Sequence, residues 1–429
     1  MIRRIRLVDV LSIKLNAIQV LGISGVGVVL GLSLRRRVAL FDRLHIPAPV
    51  LGGLVFALIT LALRDRVVNL EMDLVLREVI MVAFFTTIGM SASLRLLRVG
   101  GPQVLLFFLL ATGAVILQNV VGLVLARLFS LNPLLGLVSG SVSMAGGPAT
   151  ALAFGGTFEN MGVTGASTLG VAAAMFGIVA GGLIGGYSGG WLIRRHGLKP
   201  PGPMTDPTSS LSAAEAIVYA GDASPPPQAT PLEPEEPATH SALMDNVIAL
   251  TLAMGIGTLI SLGLQRLGMT LPSYVGAMLA AAVLRNLDDH CHCFRISQRT
   301  MDAIGSVSLY FFIVMALLTL QLWELAHLAL PLLLMLIAQV LLVALLSVTV
   351  AFRLMGRDYE AAIMAGGFCG FMLGTSANAL ACMDVLTRKF GLAPRAFIVV
   401  PLVGAFLIDF TNALLIANFT DFVRHFFLR

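Results

Sequence analysis

Long apolar runs nearly free of charge recur along this chain, and they constrain its fold more than any other feature. A run of about 18 or more apolar residues is long enough to cross the hydrocarbon core of a bilayer as a helix. Because these runs are continuous and do not alternate with polar residues, a transmembrane β-barrel is a poor fit. Ten candidate spans lie near 17–34, 46–63, 79–97, 103–129, 167–193, 243–264, 271–285, 303–322, 328–352 and 393–418.

The composition argues against the common soluble classes. Only 12% of the 429 residues are charged and 57% are hydrophobic, whereas soluble domains carry about 25% charged residues. A soluble enzyme, a disordered chain and a nucleic-acid-binding protein are therefore poor interpretations. The net charge of +5 needs no acidic partner, since Lys and Arg of a polytopic membrane protein collect on one side of the membrane. We predict an all-α polytopic membrane protein that contacts membrane lipid and no nucleic acid.

The two halves of the chain resemble each other. Gly147 and Gly374 stand 227 positions apart, and so do Gly177 and Gly404. A nearly constant offset between matching residues indicates an internal repeat. With five spans per half, an odd number, the second half enters the membrane in the opposite direction, as in many secondary transporters. We therefore predict two inverted five-helix repeats.

The predicted domain boundaries follow from the composition. Ten of the 19 prolines lie in the segment 196–242, which is predicted to be a polar linker without stable structure. The membrane halves then cover 17–195 and 243–429, and residues 1–16 form a basic segment that lies at the membrane interface in one interpretation, as an amphipathic helix. In this topology 17 of the 28 basic residues lie on the side of the linker, which places the linker in the cytoplasm.

Two stretches, 133–158 and 359–386, do not fit as ordinary spans because they are rich in Gly, Ser, Thr and Ala. Backbone that leaves the helix at membrane depth persists only where protein or a watery cavity satisfies its polar groups. We predict that each stretch is a re-entrant hairpin loop with glycines at its tip. The first loop enters from outside and the second from the cytoplasm, so the tips meet near the midplane. Tight helix packing on small residues is the alternative.

Five strings of residues fall in a characteristic order along the chain. They are MVAFFTTIGMSASL (81–94), ILQNVVG (116–122), FGIVAGGLIGG (176–186), LWELAHLALP (322–331) and VVPLVGAFLIDFTNALLI (399–416). These strings resemble the bacterial sodium/glutamate symporter family. The resemblance implies a Na⁺-driven symporter of the bacterial inner membrane, a homodimer that moves its substrate by an elevator-like displacement. Na⁺ is its coupling ion and no cofactor is implied.

The sequence departs from the family pattern at both predicted loops. Relatives typically read SGGHGTG in the first loop, where this chain reads AGGPATA (145–151). The second loop pattern GHCGFGLGATPTA is replaced by GFCGFMLGTSANA (367–379). Pro148 and Phe368 thus stand where the family pattern has histidine. The resemblance therefore extends further over the scaffold than over the substrate site.

The loop tips supply the first set of candidate ligands. Na⁺ requires several oxygen ligands, and broken helices offer backbone carbonyls to cations and N–H groups to anions. No Lys or Arg lies near the predicted midplane, so N–H groups, hydroxyls and amides would hold a substrate carboxylate. Backbone packing is the alternative role of the glycines. The substrate-binding candidates are Gly146, Gly147, Thr150, Thr375, Ser376 and Asn378, and Gly374 and Ser376 are candidates for Na⁺.

Asp409 is the only acidic residue well inside a predicted span. A carboxylate buried in a bilayer is costly and is a functional candidate by default. Asn412 follows three positions later on the same helix face, and we assign both residues to Na⁺, with Asn412 also a substrate candidate. Two alternatives for Asp409 are a partner of a substrate ammonium and a structural hydrogen bond. Gln118 and Asn119, in the fourth span, are further substrate candidates, although buried amides also join helices.

These features predict a secondary active transporter and not an enzyme, since the chain has no Ser/His/Asp set and no phosphate-binding Gly-Lys motif. The main hypothesis is Na⁺-coupled symport of L-glutamate, or of a closely related amino acid or small carboxylate, into the cell. The first alternative is a sodium- or proton-coupled symporter of dicarboxylates or other organic anions. The alternative from another class is a passive anion channel, which would neither saturate nor accumulate its substrate.

Overall fold

The computed structural model describes residues 11–43, 46–63, 68–93, 101–200, 240–266, 272–291, 294, 296–320 and 325–427. These residues are almost entirely helical, which confirms the predicted all-α class. The greater part of the predicted linker, residues 201–239, lies outside the described residues.

In the described part of the first half, long helices alternate with short ones. The helices are α1 (Ala17–Arg37), α2 (Ala39–Arg43), α3 (Ala48–Leu63), α4 (Val75–Met90), α5 (Gly101–Leu128), α6 (Pro133–Leu137), α7 (Gly147–Asn160) and α8 (Ala166–His196). Asn16 caps α1 in a reciprocal bond with Gln19, and Gly197, in left-handed geometry, ends α8. These are the residue types that favour helix starts and ends.

The described part of the second half is also helical. Its helices are α9 (His240–Arg266), α10 (Ser273–Cys291), α11 (Gln298–Leu318), α12 (Leu325–Leu346), α13 (Tyr359–Met372), α14 (Ser376–Phe390), α15 (Pro394–Leu402) and α16 (Ile408–Phe427). One turn of π-helix follows α6, α12 and α15, at Val138–Val142, Ser347–Ala351 and Val403–Leu407, and Phe352–Leu354 continues α12.

Each of the ten predicted spans falls on one of these helices, or on α15 and α16 together. Six helices of the described residues are long and apolar enough to cross a membrane, and Ala48–Leu63 is a shorter apolar helix. The third span differs from its prediction over 79–97, because α4 begins at Val75 and ends at Met90. The helical bonding stops there, because the Ala92 N–H bonds to the Gly89 carbonyl only three positions back. The full count of ten spans stays a prediction.

The N-terminal segment corrects one interpretation. Residues 11–15 form strand β1 (Leu11–Leu15), which pairs in parallel with β2 (Val68–Met72), so this part of the segment is not an interfacial helix. The Lys14 ammonium lies 3.4 Å from the Glu71 carboxylate across the pair. Parallel strands need a crossover connection, and α1 to α3 provide it. Residues 1–10 lie outside the described residues.

The helices divide into two bundles. The first three long helices of each half, α1, α3 and α4 with α9, α10 and α11, pack on one another, and α5 to α8 with α12 to α16 form the second bundle. Apolar side chains join the two bundles. The Tyr274 ring of α10 stacks on Phe85 of α4 at 4.6 Å and meets Phe154 of α7 edge-on at 5.5 Å. The boundary between the bundles is therefore formed by aromatic packing in this region.

Candidate functional site

The first predicted loop is a helix broken near its middle. The chain leaves helical geometry at Gly140 in the π-helical turn, and turns over residues 143–146 separate the π-helical turn from α7. The Gly146 N–H bonds to the Ser141 carbonyl at 2.9 Å, and the Gly147 N–H bonds to the Ser143 carbonyl at 3.1 Å. Gly147 has a φ of +66°, a conformation that glycine adopts without the steric penalty of a side chain. The break thus depends on the small residues of this stretch.

The second predicted loop is broken in the same way between α13 and α14. Residues 373–375 are not helical, and Thr375 caps α14 by accepting the N–H of Asn378 at 3.4 Å. The Ser376 hydroxyl donates to the Gly404 carbonyl at 2.7 Å. Gly404 belongs to the π-helical turn that separates α15 from α16. Two irregular segments of the second half are therefore joined at Ser376.

The two breaks face each other. A Cβ atom added at Gly147 would lie 3.3 Å from Cγ2 of Thr375 and 3.5 Å from the carbonyl oxygen of Gly374. Gly146 packs against the buried side chain of Thr150 one turn later. The structure therefore brings Gly147 of the first loop next to Gly374 and Thr375 of the second.

Three predicted amides hold the breaks in place. Gln118 and Asn119 of α5 are fully buried, and Nε2 of Gln118 donates to the Met372 carbonyl at 2.9 Å, at the last residue of α13. Oδ1 of Asn119 accepts the Ser141 N–H at 3.1 Å, and Nδ2 of Asn412 donates to the Ser141 carbonyl at 3.2 Å. Asn119 of α5 and Asn412 of α16 thus bind the N–H and the carbonyl of Ser141. These amides therefore connect helices and also lie beside the first break.

Asn378 anchors the second break to α8. Its Nδ2 donates to the carbonyls of Ile178 at 3.0 Å and of Gly370 at 3.2 Å. The approach is possible because α8 presents glycines to α13 and α14: a Cβ at Gly181 would lie 3.0 Å from Nδ2 of Asn378, and one at Gly185 would lie 2.8 Å from Sγ of Cys382. Small residues at such spacing let helix backbones approach closely.

Asp409 stands apart from these contacts. It is half-buried on α16, one turn before Asn412, and it forms no hydrogen bond or ion pair with another described residue. The π-helical turn Val403–Leu407 directly precedes its helix, and π-helical turns are frequent at functional sites. The Asp409 carboxylate is therefore unpaired as far as the described residues go, and the structure places Asn412, but not Asp409, on the first break.

Several buried side-chain atoms around the breaks have no hydrogen-bond partner among the described residues. An unsatisfied buried polar group costs about 1–3 kcal/mol, so such a cluster is typical of a site that a ligand completes. Most of these atoms are oxygens, the ligand type that Na⁺ requires, and the donor set therefore fits a cation. They are Gln118 Oε1, Asn119 Nδ2, Ser141 Oγ, Ser143 Oγ, Gln339 Oε1, Asn378 Oδ1 and Asn412 Oδ1.

Ser141, Ser143 and Gln339 were missed by the sequence reasoning. The two serines lie in a stretch of many small residues, and the sequence does not distinguish them from their neighbours. Gln339 could have been found, because it is a lone amide deep in an apolar run. Phe368, which stands at a histidine position of the family pattern, packs between the rings of Phe107 at 5.9 Å and Phe371 at 5.6 Å. It is fully buried in this aromatic core, one full turn of helix before the second break begins.

Comparison with known proteins identifies relatives of this chain. The model of the sodium/glutamate symporter family matches residues 13–392. The sodium/glutamate symporter of Escherichia coli (strain K12) is 36% identical over 397 residues, which cover 90% of this chain and 93% of that protein. The sodium/glutamate symporter of Haemophilus influenzae is 31% identical over 410 residues, with coverages of 95% and 97%.

A solved structure, that of the sodium proton antiporter MjNhaP1 from Methanocaldococcus jannaschii, aligns over 96% of this chain and 99% of that one, with 14% identity and a TM-score of 0.42. The family model and the two relatives confirm the resemblance carried by the five sequence strings, and with it the prediction of a transporter and not an enzyme. The chain belongs to the sodium/glutamate symporter family.

Proposed function

We propose that this protein couples the inward movement of Na⁺ to the uptake of L-glutamate across the bacterial inner membrane. The single observation that carries the proposal is the meeting of two helix breaks, at Gly147 and Thr375, near buried oxygens that have no hydrogen-bond partner in the described part of the chain. Membership of the sodium/glutamate symporter family, with relatives that are themselves sodium/glutamate symporters, supports both the coupling ion and the substrate.

The substrate carboxylates bind at the paired helix N-termini. The α7 helix begins at Gly147 and α14 begins at Ser376, so the positive dipole ends of two helices lie close together, and such ends attract anions. Gly146, Thr150, Thr375 and Asn378 complete this region on the loops. Gln118, Asn119 and Asn412 bound it from α5 and α16.

Na⁺ binds where side-chain and backbone oxygens are available and the N–H groups of the amides are already used in hydrogen bonds. Nδ2 of Asn412 is engaged by Ser141, which leaves Oδ1 of Asn412 free for a cation. Asp409 supplies an unpaired carboxylate one turn away, and Gly374 and Ser376 add a carbonyl and a hydroxyl from the second break. A carboxylate with neutral oxygens is a donor set suited to an alkali cation inside a membrane.

The architecture supports an inverted repeat with two re-entrant loops. Corresponding helices of the two halves begin at a nearly constant separation, 225 residues for Ala48 and Ser273 and 228 for Ala166 and Pro394. We assign the broken segments 133–158 and 359–386 as the re-entrant hairpins and the linker 196–242 to the cytoplasm. The protein works as a homodimer in contact with lipid, and its second bundle moves against the first as an elevator, a motion for which the apolar boundary at Tyr274 is suited.

Uptake by purified protein in proteoliposomes tests the proposal. Labelled glutamate, aspartate and dicarboxylates are offered under inward Na⁺, K⁺ or H⁺ gradients. We expect saturable accumulation of glutamate under the Na⁺ gradient alone. No accumulation of any anion under a Na⁺ gradient would refute Na⁺ symport, accumulation of a dicarboxylate in preference would support the organic-anion alternative, and flux without saturation would indicate a channel.

A further inference from the structure

Gln339 of α12 lies at the crossing of three helical segments. It is fully buried, and its Nε2 donates to the backbone carbonyl of Gln118 on α5 at 2.8 Å. The crossing is tight because Gly122, one turn after Gln118, packs against the backbone of Gly136 in α6 and would place a Cβ 3.5 Å from Nε2 of Gln339. A fully buried amide at a glycine crossing is held in one orientation by its surroundings.

The bond from Gln339 leads directly to the second break. The backbone carbonyl of Gln118 accepts the hydrogen bond from Gln339, and the side-chain N–H of Gln118 donates to the Met372 carbonyl at 2.9 Å. Met372 is the last residue of α13, two positions before Gly374. Two hydrogen bonds therefore connect α12 through α5 to the end of α13, directly before the second break.

Both glutamines present the same free atom. Each uses its NH₂ group in a protein hydrogen bond, and each leaves Oε1 buried without a partner among the described residues. Each NH₂ group spends one of its two N–H bonds in this way, while both oxygens accept nothing from the described residues, so the pair offers two acceptors to a cation. Neutral oxygens are ligands that Na⁺ takes in transporters, so this crossing is suited to the coupling ion.

We propose that Gln339 is a positioning residue of the transport site, which fixes Gln118 and through it the second break, and so sets the affinity for Na⁺. This inference deepens the proposed function and rests on it for the identity of the ion. Gln339→Met keeps the length and the apolar bulk of the side chain but removes the donor to Gln118 and the free oxygen.

The test compares Gln339→Met with the wild type and with Ser347→Ala. Ser347 is the matched control, because its hydroxyl also ties the α12 region to α13, by donating to the Ala365 carbonyl at 2.7 Å, away from the breaks. Purified proteins are melted over a series of NaCl concentrations balanced with choline chloride, since a ligand that binds the folded state raises the melting temperature by mass action. Na⁺-driven glutamate uptake is measured in parallel.

Loss of one buried hydrogen bond predicts a rise of about 2- to 12-fold in the Na⁺ concentration for half-maximal stabilisation by Na⁺ and for half-maximal uptake. The KM for glutamate at saturating Na⁺ should change less than about 2-fold in Gln339→Met. Ser347→Ala should melt at a lower temperature with an unchanged Na⁺ dependence. Gln339→Asn, which is one methylene too short to reach Gln118, should behave like Gln339→Met.

Three results would overturn the inference: an unchanged Na⁺ dependence in Gln339→Met with only a lower melting temperature, a shift in the glutamate KM alone, or a wild-type Na⁺ dependence in Gln339→Asn. Failure of the proposed function looks different. In that case the wild type itself takes up no glutamate under a Na⁺ gradient, while its stabilisation by Na⁺ still reports whether Gln339 governs ion affinity.

Discussion

Replacement of Gly147 by alanine tests whether the contact between the two breaks matters for transport. Gly147 has a φ of +66°, and an L-residue in left-handed geometry costs about 1–2 kcal/mol. The new Cβ would also lie 3.3 Å from Cγ2 of Thr375, closer than the ~3.5–4.0 Å at which carbon atoms attract. The methyl group therefore strains the first break and displaces the second. A change of 1–2 kcal/mol corresponds to a factor of about 5–30.

We expect Gly147→Ala to lower kcat/KM for Na⁺-driven glutamate uptake by that factor of about 5–30. The assay is initial uptake in proteoliposomes at equal amounts of reconstituted protein. Gly156→Ala is the matched control on the same helix, because a Cβ there meets nothing within 4 Å and Gly156 has no left-handed φ. It should transport like the wild type. Equal kcat/KM in Gly147→Ala and in the wild type would refute the contact between the breaks as part of the site.

Three further predictions concern charge, unsatisfied groups and the altered loop positions. Asp409→Asn should abolish Na⁺-coupled accumulation while the protein still inserts and elutes as a folded species; full uptake would remove Asp409 from the site. Tyr274→Phe removes a buried hydroxyl that has no partner among the described residues, so the melting temperature should rise. Tyr359→Phe loses a hydrogen bond to a backbone carbonyl, so the free energy of unfolding should fall by about 1 kcal/mol and the melting temperature with it. Shifts of equal sign in the two variants would contradict this. Phe368→His should destabilise the aromatic core without changing the substrate range, whereas Pro148→His, in the first turn of α7 beside the break, should change it, as competition uptake can show.

The fold was largely predictable because membrane burial acts on each segment separately. A span such as 103–129 is recognised from its own apolar residues, and the structure has α5 there. The limits of α4 were not predictable in the same way, since its end depends on the local turn at Ser91 and not on hydropathy. The pairing of β1 with β2 was missed because two five-residue strands far apart in sequence carry little pattern.

The site was predictable in its residue types but not in its contacts. Gln118, Asn119 and Asn412 were found because buried amides are conspicuous in apolar runs. Their partners were not, since Asn412 and Ser141 lie 271 positions apart and such pairings arise only from packing. The role of Phe368 was likewise hidden, because its substitution for histidine does not reveal that the side chain faces the aromatic core.

Coupling between the two fluxes is the central claim, and influx of radioactive Na⁺ into proteoliposomes measures it most directly. Addition of external glutamate should stimulate Na⁺ influx in wild-type protein with a fixed ratio of Na⁺ to glutamate. If that ratio moves net charge, an inside-negative potential should drive uptake, by about 2.3 kcal/mol per charge per 100 mV. In Asp409→Asn the stimulation should be absent. An equal rate of Na⁺ influx with and without external glutamate in the wild type would contradict the account.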